Sequence, residues 1–180
     1  KSRIRLAGIG AQKEDGLMKK NNPTISLCMI VKNEESHLEQ AIRSVQSLVT
    51  EVIVLDTGSE DNTIAIAEKC GAKVYQEPWT DDFSEARNKS LSYASCDWIL
   101  ILDADEQIAQ QDLARLQSLS QLPPAAYLLT QRHYMNDYSM SGFEPNAGEY
   151  PSHEESYGGY CTSQLTRFFP NHCGYRFQGK

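Results

Sequence analysis

The sequence lacks a hydrophobic run long enough to cross a membrane, and it lacks an excess of positive charge. No segment approaches the roughly 18 consecutive apolar residues that indicate a transmembrane helix. Lys and Arg number 17 against 24 Asp and Glu, which gives a formal net charge of -7. The absence of a long apolar run leads us to expect no transmembrane segment. Because no overall positive field attracts nucleic acid, we also expect no nucleic-acid partner. The basic first residues are followed by no signal-peptide pattern, so we expect a cytoplasmic protein, with peripheral contact to a membrane left open.

The sequence also lacks a paired-cysteine motif. Its five cysteines include no Cys-x-x-Cys pair. Cys161, His172 and Cys173 are imaginable zinc ligands, but their spacing fits no zinc finger. Reduced thiols in a cytosolic protein are the better prediction.

The length of 180 residues favours one domain with a substantial core. Residues 1–23 show no usable periodicity, and we interpret them as a flexible leader or as residues foreign to the natural protein, with Met18 as a candidate start. Residues 24–180 are predicted to form the single domain.

Strand and helix patterns alternate from residue 25 onward. Strands are predicted at 25–31, 51–55, 73–76 and 98–103, and helices after Asn33, at about 61–70, from Ser84 to about 94, and at about 110–119. Asn33 and Ser84 are the candidate N-caps, and Gly71 suits the left-handed residue after the second helix. Later strands are predicted at 126–132, 163–169 and 175–178, around a long loop at 134–160. This alternation predicts an α/β fold with a mostly parallel sheet and helices on both faces.

Carboxylates follow the predicted strand 98–103 directly. Five apolar residues at 98–102 lead into Asp103, Ala104, Asp105 and Glu106. Open α/β sheets bind ligands at the carboxyl ends of their strands, and two aspartates two positions apart can bind one Mg²⁺ or Mn²⁺ ion. We therefore predict a divalent-metal site at Asp103 and Asp105.

Polar residues also end the other predicted strands. Residues 32–35 follow the first, Asp56 ends the second and Glu77 follows the third. An acidic rim repels phosphate unless a cation intervenes, and Arg87 on a neighbouring helix adds a fixed positive charge suited to a diphosphate. These residues together predict a metal-nucleotide site.

Four segments in order give the chain a family resemblance: residues 29–35 (MIVKNEE), 54–59 (VLDTGS), 82–88 (DFSEARN) and 102–106 (LDADE). The chain resembles the family 2 glycosyltransferases of the GT-A fold over about residues 25–178. The resemblance implies a nucleotide-diphospho-sugar donor, uridine diphosphate by default, and Mn²⁺ or Mg²⁺. It also implies roles for individual residues. Asp56 and the backbone near Val31 and Asn33 would contact the nucleoside, and Glu34 and Arg87 would line the donor pocket. Asp103 would lie near the ribose and metal, and Asp105 would bind the metal.

The general base is the part of the family pattern that this sequence does not supply. Segments 167–171 (RFFPN) and 175–179 (YRFQG) resemble those that precede an Ile-His-Glu motif in relatives, but the chain stops at Lys180. The resemblance therefore implies a domain incomplete at its C-terminus. Glu154 and Glu155 in the long loop are weak alternative candidates for the base.

The predicted function is transfer of a sugar, with inversion, to an acceptor that is a carbohydrate, lipid or protein. Two alternatives stay open. A nucleotidyltransferase on a similar sheet would release pyrophosphate rather than a nucleoside diphosphate. A non-catalytic nucleotide-sugar-binding module would bind the donor without turnover. A phosphatase using Asp-x-Asp fits less well, because Gln107 follows Glu106 where Thr or Val is expected.

Overall fold

The structure is a computed structural model that describes the backbone of residues 2–5 and the whole of residues 22–179. The strands are β1 (Ser2–Arg5), β2 (Ile25–Val31), β3 (Glu51–Asp56), β4 (Lys73–Gln76), β5 (Trp98–Ile101), β6 (Glu106–Ile108), β7 (Tyr127–Met135), β8 (Glu144–Pro145) and β9 (Gly159–Pro170). The helices are α1 (Leu38–Val45), α2 (Thr63–Lys69), α3 (Phe83–Ser92), α4 (Leu113–Leu119) and α5 (Pro151–Glu154), with a 3-10 turn at Gln110–Asp112 before α4.

The described strands form one mixed sheet in the order β4-β3-β2-β5-β9-β7-β1-β6, and β8 pairs with β9. The first four strands are parallel to each other. Strand β9 then runs antiparallel to both β5 and β7, and β1 is antiparallel to β7 but parallel to β6. The expected α/β fold is confirmed, and its parallel part is the half from β4 to β5.

The central strands form because their residues are apolar on both faces. Alternate β2 residues enter two separate cores: Leu27 and Met29 belong to one core, and Cys28 belongs to the other. Helix α1 covers the first core with Leu38, Ile42 and other residues at helical spacing, whereas Leu91 of α3 packs in the second core. Helices therefore lie on both faces of the sheet, as the continuous apolar runs indicate.

Two predicted helix caps are wrong. The first helix begins after His37 rather than at Asn33, which has a left-handed φ of 55° and serves a loop. The third helix is capped by Asp82, whose carboxylate accepts a hydrogen bond from the Glu85 backbone N–H, and not by Ser84. Asp accepts this bond as well as Ser does, so residue type alone did not locate the cap. Gly71 has the expected left-handed φ of 81°.

The second half of the chain differs more from its prediction. The fourth strand ends at Ile101, and the turn that follows leads into the short strand β6. Strand β9 begins at Gly159, inside the predicted loop, and the strand predicted at 175–178 is absent from the described residues. The predicted loop is further divided by β8 and α5.

Strand β1 falls within the predicted leader. It pairs with β6 and β7, whereas residues 6–21 lie outside the described part of the chain. The interpretation of residues 1–23 as a leader or as foreign residues stays a prediction. Among the described helices none combines the length and apolarity that a membrane span requires. Each of the five cysteines is free.

Candidate functional site

A cleft lies at the carboxyl ends of the parallel strands. Its volume is about 310 Å³. The residues that line it are Ile30, Val31, Lys32, Glu34, Thr57, Trp79, Phe83, Arg87, Asp103, Ala104 and Asp105. The structure thus brings together five of the predicted site residues: Val31, Glu34, Arg87, Asp103 and Asp105. Asn33 and Asp56 lie beside this cleft in the chain but are not among its lining residues.

The loops that follow β2 and β3 are hydrogen-bonded to each other beside the cleft. The Thr57 backbone N–H and hydroxyl both donate to the Val31 carbonyl, at 3.0 and 3.1 Å. The Asn33 N–H donates to the Ser59 hydroxyl at 2.9 Å, and the Asn33 side-chain oxygen accepts from the Glu60 N–H. The backbone groups predicted to contact a nucleoside therefore already have partners within the protein, and these partners fix the loops.

Asp56 is a buried carboxylate with one oxygen free. Its Oδ1 accepts hydrogen bonds from the Gly58 and Ser59 N–H groups, each at 3.0 Å. Its Oδ2 is buried and has no hydrogen-bond partner among the described residues. A buried oxygen without a donor is costly, so this atom is a candidate acceptor for a donor group of a ligand.

Asp103 lies between two arginines. Arg87 of α3 donates to its Oδ1 at 2.8 Å, and Arg167 of β9 donates to its Oδ2 at 2.7 Å. Arg167 also donates to Glu106 Oε1 at 2.5 Å, and Glu106 Oε2 accepts from the Asp103 N–H at 2.9 Å. Gln131 of β7 adds a bond to Glu106 Oε1 at 2.7 Å. The turn after β5 is therefore fixed by side chains from both halves of the sheet.

Sequence reasoning missed Arg167 and Gln131 as parts of the site. The available signal was an arginine immediately before the apolar Phe168-Phe169 pair of a strand, where a charge must find a partner.

The electrostatics of the turn follow from burial and from these two arginines. Burial alone raises the pKa of Asp103, but the charges of Arg87 and Arg167 and their hydrogen bonds lower it overall. Burial raises the pKa of Glu106 to about 7, against the opposing charge of Arg167. Asp103 is therefore held ionised beside the cleft, while Glu106 forms the buried support behind it.

Asp105 is the aspartate that is open to the cleft. It is exposed, and the described ion pairs of the turn involve Asp103 and Glu106 instead. The described residues contain no cluster of three or more His, Cys, Asp or Glu side chains able to hold a metal. Mg²⁺ and Mn²⁺ bind through one or two carboxylates together with substrate phosphates and water, so a single open carboxylate beside Asp103 still fits such an ion.

An aromatic pair forms one wall of the cleft. The Trp79 and Phe83 rings meet edge to face with centroids 4.7 Å apart, and Phe83 is 64% exposed. The Trp79 indole N–H donates to Asp81, whose left-handed φ of 59° turns the loop into α3. Trp79 therefore belongs to the cleft wall and not to the core.

Glu77 and the two candidate bases face other partners. Glu77 pairs with Lys89 at 3.0 Å and accepts a bond from the Tyr93 hydroxyl. Glu154 is buried and accepts from the Gly148 and Tyr150 N–H groups, so it holds its own loop. Glu155 is exposed. Neither Glu154 nor Glu155 lines the cleft, and their role as base stays a prediction.

A second cavity of about 590 Å³ adjoins the cleft. It shares Phe83, Arg87 and Asp103 with the cleft and continues along Arg167 and Leu165 of β9. The turn that carries Asp103 therefore lies between the cleft and this second cavity.

The sequence matches the description "Glycosyl transferase family 2" over residues 26–177. A TPR repeat-containing protein of Synechococcus elongatus is 40% identical over 154 residues, covering 86% of this chain and 33% of that protein. An uncharacterized glycosyltransferase of Rickettsia felis is 45% identical over 89 residues, which are 48% of this chain and 30% of that protein. The chain thus spans about a third of the length of these curated relatives.

A solved structure gives the same result for the fold. Glucosyl-3-phosphoglycerate synthase from Mycobacterium tuberculosis, in complex with Mn²⁺, uridine-diphosphate and phosphoglyceric acid, is 30% identical with a TM-score of 0.50. The similarity covers 59% of this chain and 42% of that one. Because the family match covers most of the chain, this protein belongs to glycosyl transferase family 2 and has its GT-A fold.

Proposed function

We propose that the protein is a metal-dependent glycosyltransferase that moves a sugar from a nucleotide-diphospho-sugar to an acceptor hydroxyl with inversion. The observation that carries this proposal is the single cleft that gathers Val31, Glu34, Arg87, Asp103 and Asp105 at the carboxyl edge of the parallel strands. This edge is where open α/β sheets bind their ligands. Family membership supports the same reaction class.

The nucleoside end of the donor is assigned to the side of the cleft at Val31 and Asp56. The unpartnered Asp56 Oδ2 can accept a hydrogen bond from an N–H of a base or a ribose hydroxyl. Uridine is the proposed nucleoside, because the Mycobacterium tuberculosis structure contains uridine-diphosphate.

The diphosphate end is assigned to Arg87, Asp103 and Asp105. Asp105, with Asp103 behind it, would hold Mn²⁺ or Mg²⁺, which as a Lewis acid stabilises the charge that develops on a departing diphosphate. Arg87 keeps a guanidinium at the same wall, and its Nη1 is buried without a partner among the described residues. An arginine in this place adds fixed positive charge that needs no reorganisation during the reaction.

The acceptor side is less defined by the residues present. Inverting transfer requires a base on the face of the sugar opposite the diphosphate. Glu154 and Glu155 remain the proposed candidates within this chain, and their positions outside the cleft give them no support. The acceptor is proposed only as a hydroxyl of a carbohydrate, lipid or protein.

Thermal unfolding with uridine diphosphate, in the presence and absence of Mn²⁺, tests the proposed donor site. A ligand at 100 times its Kd stabilises the native state by about 2.7 kcal/mol, so Tm should rise when both are present and much less with either alone. Asp105→Asn should remove most of this metal-linked shift without lowering the Tm of the free protein, because Asp105 is exposed.

Asp137→Asn is the matched control, because Asp137 is an exposed aspartate whose carboxylate accepts hydrogen bonds from the N–H and hydroxyl of Ser139 in its own turn. It should leave the metal-linked shift unchanged. No metal-linked shift in the unaltered chain would reject the donor site. Release of pyrophosphate from a nucleoside triphosphate would favour a nucleotidyltransferase, and binding of a uridine-diphospho-sugar without release of uridine diphosphate would favour a binding module.

A further inference from the structure

Arg167 links the antiparallel half of the sheet to the candidate metal turn. Leu100 of β5 pairs with Phe168 of β9, so Arg167 lies level with the end of β5. From there its guanidinium reaches Asp103 and Glu106 at 2.7 and 2.5 Å. Its side chain is only 8% exposed. Arg167 is absent from the residues that line the donor cleft, so it would influence a ligand there through its partners Asp103 and Glu106.

Asp105 is the carboxylate of this turn that forms no ion pair among the described residues. Arg87 and Arg167 both form ion pairs with Asp103, and Arg167 also pairs with Glu106. Asp105 carries a further negative charge and is exposed to the cleft. Loss of Arg167 would leave more negative charge at the turn, which by itself strengthens the attraction of a dication. A weaker affinity for Mn²⁺ in an Arg167 variant would therefore come from lost positioning and not from lost charge.

The cluster also fixes the shape of the turn. Glu106 is held by Arg167 and Gln131, and in turn it accepts the Asp103 N–H. The Glu106 N–H donates back to the Asp103 carbonyl at 3.0 Å. Loss of Arg167 frees Asp103 Oδ2 and removes one of the two donors to Glu106 Oε1. Asp105 lies between these two residues, so the backbone that carries its side chain loses part of its support as well.

We propose that Arg167 is a positioning residue for the donor site, which holds Asp103 and Glu106 so that Asp105 and Arg87 are presented to a metal-bound diphosphate. This inference rests on the proposed function. It assigns a role in donor binding to a residue of β9, the strand that also borders the second cavity. Groups that orient metal ligands typically change metal affinity by about 10- to 100-fold when they are lost.

The test is the Kd of Mn²⁺ in the presence of uridine diphosphate, read from the electron paramagnetic resonance signal of free Mn²⁺. Arg167→Gln should raise this Kd by about 10-fold or more. Arg167→Lys should give an intermediate Kd, because it restores the charge but cannot form both bonds with the same geometry. All measurements are made well below the Tm of each variant.

Arg132→Gln is the matched control. Arg132 is also a buried arginine of the second half of the sheet, 3% exposed and paired with Glu149 and Glu154, which lie outside the cleft. It should lose stability but keep the Kd within about twofold of the unaltered chain, since it touches neither Asp103 nor Glu106.

A double variant separates positioning from folding if Arg167→Gln does not fold. Arg167→Met with Glu106→Gln removes both charges of the buried pair, which restores much of the stability that a lone buried charge loses. Its Kd should remain raised by about 10-fold, because Asp103 still lacks its second arginine.

The outcomes are distinct. A Kd for the folded Arg167 variants equal to that of the unaltered chain would overturn the positioning role and leave the donor site intact. No uridine-diphosphate-linked binding of Mn²⁺ in the unaltered chain would overturn the proposed function and this inference with it.

Discussion

The two halves of the sheet place their charged residues differently. In the parallel half, β2, β3 and β5 end at one edge, and the polar residues that follow them meet around a cleft. In the half built from β9, β7, β1 and β6, the buried Arg132 pairs with two glutamates outside the cleft, whereas Arg167 also reaches Asp103 in the cleft. Parallel strands joined by helices bring their carboxyl ends to one edge of the sheet, whereas antiparallel pairing places the carboxyl ends of neighbouring strands at opposite edges.

Arg132 and Arg167 make the contrast concrete. The Arg132 guanidinium lies over the rings of Tyr150 and Tyr160, at 4.7 and 4.1 Å from their centroids, and pairs with Glu149 and Glu154. Glu154 then binds the N–H groups of its own loop. Arg167, in contrast, shares its carboxylate partner Asp103 with a cleft. Of these two buried arginines, Arg167 is therefore the one whose carboxylate partner lines the cleft.

The largest effect on stability should come from a substitution in the apolar contacts by which β9 joins the two halves of the sheet. Phe168 is completely buried and stacks on Trp98 of β5, with ring centroids 4.8 Å apart, and on Tyr127 of β7. Phe168→Ala should lower the free energy of unfolding by about 4 kcal/mol, because it leaves a cavity shared by both halves. Chemical denaturation measures this change, and one cooperative transition is expected for both chains.

Leu165→Ala on the same strand is the control, because Leu165 is largely exposed and its loss should cost no more than about 0.5 kcal/mol. Equal losses for the two variants would contradict a core that joins the halves through β9. Two separate transitions in the Phe168 variant would mean that the halves unfold independently.

A smaller loss of stability is expected from a substitution in the cluster that Arg132 forms with Glu149 and Glu154. Arg132→Ala leaves the buried Glu154 carboxylate without its ion-pair partner and removes the contacts with both tyrosine rings. We expect a decrease of about 3 kcal/mol in the free energy of unfolding, measured in urea. Arg43→Ala is the control, since Arg43 forms an exposed pair with Glu39 on α1 and its loss should leave the unfolding midpoint unchanged. A midpoint as high for Arg132→Ala as for Arg43→Ala would show that the cluster contributes no net stability.

The sequence predicted the parallel half well because local patterns determine it. Strands β2 and β4 have the predicted bounds, and the other parallel strands were found with ends shifted by one or two residues. The second half was harder, because β9 is buried only toward its two ends and its apolar pattern is interrupted by Thr162, Ser163 and Gln164. Its pairing with β7 depends on contacts more than 20 residues apart, which no short window records.

The residues of the candidate site likewise divide into those that the sequence predicted and those that it did not. Val31, Glu34, Arg87, Asp103 and Asp105 share one cleft. Each could be placed there because it ends or follows a parallel strand or, for Arg87, lies in the helix that precedes one. Arg167 reaches the same turn from an antiparallel strand 64 residues away in the sequence. The position of such a residue is set by strand register, which the residues around it do not specify.

The smallest effect should come from a carboxylate at the opposite end of the parallel half. Glu51 begins β3 with a side chain 8% exposed, and it accepts bonds from Ser26, Ser95 and Lys73. Although burial opposes ionisation, the bonds from Lys73 and the two serines lower its pKa from 4.5 to about 2. A lowered pKa stabilises the folded state above pH 4.5, and this contribution is lost as the pH falls toward 2.

Glu51→Gln should therefore lower the free energy of unfolding by about 2 kcal/mol at pH 7, and the difference from the unaltered chain should shrink as the pH falls below 4.5. Urea unfolding at a series of pH values measures it. Glu60→Gln serves as control, because Glu60 is an exposed glutamate at the other end of the same parallel half and should give curves that coincide with the unaltered chain. A pH-independent loss for Glu51→Gln would mean that shape rather than charge matters at this end. The charges of the parallel half would then contribute only at its cleft edge, which would sharpen the contrast with Arg132 in the other half.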